Sequence, residues 1–155
     1  MVDIGSGKGY PADALSNFAP HPFVIDGVQC NSMEGFLQSL KFQNMEIQKQ
    51  VCLLTGRAAK FKGKKKKWWK EQKLYWLGVE YERDGERYQN LLDRAFSALA
   101  QNESFSKALL ATGDSVLTHS IGKNKPTETV LTRAEFCSRL TKLRSRLKEE
   151  RYGKI

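Results

Sequence analysis

Between residues 86 and 100 the apolar side chains recur at helical spacing. Tyr88, Leu91, Leu92, Ala95, Phe96 and Leu99 share one face, and charged and polar residues occupy the other. Such a helix gains most of its stability by burying that stripe against other elements. A second stripe lies near the C-terminus, where Phe136, Leu140, Leu143 and Leu147 form one face and Thr132 with Glu135 spell a capping box. Two amphipathic helices require a common core, and 155 residues suffice for one domain that contains it.

The remaining elements are shorter. "FVIDGVQC" (23–30) reads as a β-hairpin around Asp26-Gly27. A helix is predicted from Ser32 to about Asn44, followed by a second in "MEIQKQVCLLTG" that Gly56 stops. Residues 68–77 are aromatic-rich and fit either a helix or a strand. "SFSKALLATG" is a short helix stopped by Gly113, and "SVLTHSIGK" a short strand leading into a glycine-containing loop. "GSGKG" (5–9) lacks the GxxxxGK[ST] spacing of a phosphate loop, and no apolar strand precedes it, so it is assigned to a flexible N-terminal segment, 1–14. The expected fold class is α+β: a single compact domain over 15–150, predominantly helical with a few short strands, and a tail at 151–155.

Net charge is +9, much of it in "KFKGKKKKWWK" (60–70) and in the C-terminal "RLTKLRSRLKEERYGK". That balance suits phosphates or nucleic acid, or else forms a solvated basic surface. Cys30, Cys52 and Cys137 are widely spaced with no CxxC pair, as reduced thiols in a cytoplasmic protein would be. His21 and His119 are too few for a Cys/His metal site. No apolar run approaches the roughly 18 residues that span a membrane, and the first residues lack a signal peptide's apolar core.

"NSMEGFLQSLKF" (31–42) raises a sharper question. At about 100° per residue, Glu34, Gln38 and Lys41 fall on one narrow line, with Leu37 and Met33 on one flank and Phe42 on the other. Gly35, Ser39 and Gln43 occupy the remaining arc, expected to face water. A carboxylate, an amide and an ammonium between apolar flanks need partners, because unpaired burial of charge is costly. Gly35 weakens the helix by about 1 kcal/mol relative to Ala, which suits a site where another backbone or a ligand passes close. The alternative is that Asn31 and Glu34 form an N-terminal capping box and the others lie on the surface.

The stretch "LSNFAPHPFVIDGVQCNSMEGFLQSLKF" (15–42) resembles the opening of the NADAR/YbiA-like family, which runs S-N-F, a Pro- and Phe-containing step, D-G, then S-x-E-x-x-x-Q-x-x-K-F. Ser16, Asn17, Phe18, Asp26, Gly27, Ser32, Glu34, Gln38, Lys41 and Phe42 match it. "AAKFKGK" (58–64) with Trp68-Trp69 is similar to the family's A-K-x-x-G-R step and its Trp. "KALLATGDSVL" and "RLTKLRSRL" are similar to its L-L-x-T segment and closing helix. Near the C-terminus the family carries D-x-x-W-G, whereas this chain has "THSIGKNKPTETVLT" (118–132), with neither Asp nor Trp.

The resemblance implies a YbiA-like fold and an N-glycosidase that cleaves a bond between a ribose-type sugar and a nitrogen, with no metal or redox cofactor. Described family substrates are phosphorylated riboflavin-pathway intermediates and ADP-ribose on guanine in nucleic acid. Carried onto this chain, Glu34 is the catalytic carboxylate and Lys41 orients it or holds a phosphate or hydroxyl. Asn17 and Gln38 bind sugar or base, Phe18 or Trp69 stacks on the base, and Lys64 holds phosphate. His119 and Glu128 are the candidates to replace the missing C-terminal pair, beside Gly122. The expected partner is a ribosylated nucleotide, with nucleic acid through the basic surface and no membrane. The alternative is a non-catalytic binder of ADP-ribose or nucleic acid with the same fold.

Overall fold

The computed structural model describes residues 1–152. Its helices are α1 (Met33–Ser39), α2 (Met45–Cys52), α3 (Gly56–Lys64), α4 (Glu86–Leu99), α5 (Glu103–Ala111) and α6 (Arg133–Tyr152). Its strands are β1 (Val2–Asp3), β2 (Phe23–Ile25), β3 (Val28–Cys30), β4 (Lys73–Trp76), β5 (Val79–Glu82) and β6 (Leu117–Thr118). The strands form three two-stranded sheets: parallel β1–β6 and the antiparallel hairpins β2–β3 and β4–β5. The predominantly helical α+β domain read from the sequence is the fold observed. The last residues of the expected tail, 153–155, lie outside the described residues.

Side chains with oxygen acceptors start most of the helices. Ser32, Asn44 and Asn102 each accept a backbone N–H at the starts of α1, α2 and α5. At α6 the capping box is reciprocal: Thr132 Oγ1 accepts from Glu135 N at 3.1 Å, and Glu135 Oε1 accepts from Thr132 N at 2.7 Å. The β2–β3 turn places Asp26 at φ 50° and Gly27 at φ 77°, the double left-handed geometry of a two-residue hairpin. Tyr88, Leu91, Leu92, Ala95, Phe96 and Leu99 of α4 are all buried, as are Phe136, Leu140 and Leu143 of α6. The core is continuous from α1 through the hairpins to these two helices.

Several expectations are corrected. The segment 1–14 is not a free tail: Val2 and Asp3 pair with Leu117 and Thr118, and Ile4 is fully buried. Its partner strand lies more than a hundred residues away, so no local pattern reveals the pairing. The first cap is Ser32 alone, not an Asn31–Glu34 box. Ser32 Oγ accepts from Gly35 N at 3.0 Å, while the Asn31 amide donates to Leu53 O. Helix α1 ends at Ser39, because the Ser39 carbonyl receives Gln48 Nε2 and the Leu40 carbonyl receives Tyr75 N. Gly56, at φ 52°, opens α3 instead of closing α2, which ends at Cys52. Residues 68–77 resolve into a short 3-10 turn and strand β4.

The arc expected to face water is the largest reversal. Gly35 and Ser39 are buried, because α2 and α3 both pack on α1. A Cβ on Gly35 would stand 2.7 Å from Leu54 O, 2.9 Å from Val51 O and 3.0 Å from Cys52 O. The glycine is therefore explained by a neighbouring backbone.

Candidate active site

Helix α1 is packed by α2 and α3, so the polar line that begins on it is drawn inward, with Gln38 buried and Glu34 and Lys41 half-buried. Gln38 Nε2 donates to Glu34 Oε2 at 2.8 Å, and Gln38 is itself buried. The other end of the Gln38 amide, Oε1, is buried without a hydrogen-bond partner. It lies against Gly63 of α3, where a Cβ would overlap it. Turned over, the same amide would accept from a protonated Glu34, so Gln38 can serve either charge state of the carboxyl.

Burial pushes the Glu34 carboxyl above its usual value, against the opposing pull of the Gln38 hydrogen bond and the positive charges of Lys41, Lys60 and His119. Burial lowers the Lys41 ammonium in turn. Glu34 acts against that shift, while Lys123 and Lys60 reinforce it. An acid pushed up and an amine pushed down within reach of each other's charge narrow the gap between their proton affinities.

Three further segments reach this pair. The Ser16–Phe18 turn abuts the start of α1, with Asn17 O accepting from Glu34 N at 2.9 Å. Phe18 is half-buried, leaning on the start of α3 at Gly56, with the Lys60 ammonium 6.0 Å from its ring centre. His119 arrives from the loop after β6. Its Nδ1 lies 2.8 Å from Ile4 O. A carbonyl only accepts, so Nδ1 carries the hydrogen, and in the neutral ring Nε2 keeps its lone pair. The imidazole edge meets Phe136 at 5.1 Å, and Gly122 closes on the ring with no room for a Cβ. The carbonyl just after β1 thus orients a histidine more than a hundred residues further along the chain.

Glu34, Gln38, Lys41, Asn17, Phe18, His119 and Gly122 are brought together by these contacts. Glu128 is exposed in the loop before α6, and its side chain forms no hydrogen bond or ion pair with the cluster among the described residues. Lys64 is exposed at the end of α3. Trp68 is a core residue, whereas Trp69 is 52% exposed with the Lys70 ammonium 5.9 Å from its ring. Sequence reasoning missed Lys60 and Lys123. Lys60 is the first lysine of "AAKFKGK", one helical turn before Lys64, and its distance from Lys64 places both on one side of α3. Lys123 carried no signal, since only the folding of the 119–124 loop against α6 brings it near, through Lys123 O accepting from Arg133 N at 2.9 Å. Among the described residues no group of three or more His, Cys, Asp and Glu side chains is placed to hold a metal, and no helix is long and apolar enough to cross a membrane.

This mainly helical α+β domain, with Glu34 and Gln38 on α1 and Lys41 just past its end, has a YbiA-like fold. The chain is similar to the solution structure of the E. coli protein YbiA, with a TM-score of 0.63 over 97% of this chain and 89% of that one, at 17% identity, a likeness that shows the fold. Residues 9–145 match the family model described as bacteriophage protein GP30.3, and the chain belongs to that family. It is also 40% identical over 149 residues to an uncharacterized 17.1 kDa protein of the Gp30–rIII intergenic region in Enterobacteria phage T4, covering 94% of this chain and 98% of that protein.

Proposed function

We propose that the protein is an N-glycosidase that hydrolyses the bond between a ribose, of ADP-ribose or ribose phosphate type, and a base or amine nitrogen. The observation that carries this reading is the half-buried Glu34 carboxyl, raised above its usual value and bonded to Gln38, with Lys41, Lys60 and His119 close enough to act on its charge.

Breaking a C1′–N bond leaves positive charge on the sugar, and the departing nitrogen takes the bonding pair and needs a proton. Glu34 in its ionised form stabilises the oxocarbenium-like sugar. Lys41, with its lowered affinity for the proton, is suited to give one to the leaving nitrogen. Water then adds to C1′ and its proton passes to His119 Nε2, whose orientation Ile4 maintains. Lys60 and Lys123 supply positive charge for substrate phosphates. Phe18 offers a ring to the base, and the Asn17 amide, which has no hydrogen-bond partner within the protein among the described residues, is available to sugar or base.

The test is mass spectrometry of products after incubation with ADP-ribosylated guanine DNA and, separately, with riboflavin-pathway phosphates. Base or amine release by the wild type and not by Glu34→Gln supports the assignment, and equal rates refute it. Wild-type binding without any release favours the non-catalytic binder, to which the missing D-x-x-W-G already points.

A further inference from the structure

The lysine-rich end of α3 is unlike a merely solvated face in one respect: its cations are arranged around aromatic rings. Phe42, Phe61, Lys62, Lys65 and Lys66 line a cleft of about 290 Å³. The Lys65 ammonium lies 5.1 Å from the Phe61 ring centre, and that of Lys66 lies 5.2 Å from Phe42. Phe61 is 64% exposed, an unusual position for a phenylalanine on a helix otherwise covered by lysines. Just beyond, Trp69 presents an open ring beside Lys70. None of the lysines between positions 60 and 70 forms an ion pair among the described residues.

We propose that this cleft is a docking surface for single-stranded nucleic acid, with the exposed Trp69 ring, three residues after Lys66 in the chain, as a further stacking face. Unpaired ammonium groups meet the phosphates, and open aromatic faces receive unstacked bases. Those two ingredients bind single strands with little sequence preference. A duplex shows phosphates but no base faces, so it would leave Phe61 and Trp69 unused. A membrane surface asks for several apolar side chains projecting together. Here Phe61 is the only large apolar residue exposed on α3, and Arg57, Lys60 and Lys64 are exposed around it. The inference does not depend on the hydrolytic reading, although Lys60, on the same helix, connects this surface to Glu34.

The experiment is fluorescence anisotropy with fluorescein-labelled oligothymidylate of about twelve nucleotides, alongside a duplex of equal length and phosphatidylserine-containing vesicles. The expected result is single-strand binding that weakens steeply with added NaCl. Phe61→Ala should lower affinity about 5- to 100-fold with the salt slope unchanged. The triple change Lys62→Gln, Lys65→Gln, Lys66→Gln should flatten the slope by about 2. Glu34→Gln should bind like the wild type, which separates this surface from the reaction. Phe61→Ala binding as tightly as wild type would overturn the proposal. So would a duplex or vesicles bound at least as well as the single strand. Circular dichroism of the variants checks that each is folded.

Discussion

Gly35→Ala puts the packing of α1 to a direct test. In a free helix the change is favourable by at most about 1 kcal/mol. Here the new methyl would meet three backbone carbonyls at 2.7–3.0 Å. These carbonyls cannot step aside cheaply. Cys52 O accepts from Asn31 N at 2.9 Å, Leu54 O from Ser32 Oγ at 2.9 Å, and Val51 O from Leu54 N at 3.0 Å. Overpacking of this kind costs about 1–3 kcal/mol, and three held acceptors argue for the upper end. The net expectation is a loss of about 2 kcal/mol, or a fall in Tm of roughly 4–8 °C for a chain of this size. Thermal unfolding followed by circular dichroism, with urea titration beside it, measures both. A Gly35→Ala protein as stable as wild type, or more so, would refute the close approach of the α2–α3 connection and with it the account of why α1 is buried on so many sides.

Glu34→Gln should also change the pH dependence of stability. A carboxyl whose folded pKa is raised binds its proton more tightly when folded, so stability falls as pH rises from the ordinary 4.5 through the folded value. The uncharged amide escapes that loss, and the variant's Tm should exceed wild type at pH 7, with the advantage vanishing below about pH 4.5; a constant difference across the range would contradict it. Glu135→Ala should cost about 3–5 kcal/mol in a urea titration, because it strands Arg83, 2% exposed and bonded to both Glu135 oxygens, and removes half of the α6 capping box.

The parts legible in the sequence are those whose cause is local. The α4 and α6 stripes, the Thr132–Glu135 box and the Asp26–Gly27 turn each depend on a few neighbouring side chains, and each forms where its pattern stands. Within the candidate site, Glu34, Gln38 and Lys41 were legible as one line, although α1 ends before Lys41. The end of α1 was not, since its last carbonyls are taken by Gln48 and by Tyr75 of β4. The solvent face assigned to Gly35 and Ser39 failed for the same reason: helical angle tells which residues share an arc, not which arc is covered.

By itself the sequence determined the fold class, the strongest helices and the polar line through Glu34. The tertiary structure decided that this line is drawn inward with Gln38 buried, that Lys60 and Lys123 act on it while Glu128 stays in the exposed loop, and that the N-terminal segment pairs as β1 and holds His119 through Ile4 just beyond it. Periodicity and capping act over a few residues of contiguous chain. Desolvation of Glu34 and the orientation of an imidazole arise from segments about a hundred residues apart, and they exist only once the core has brought those segments together.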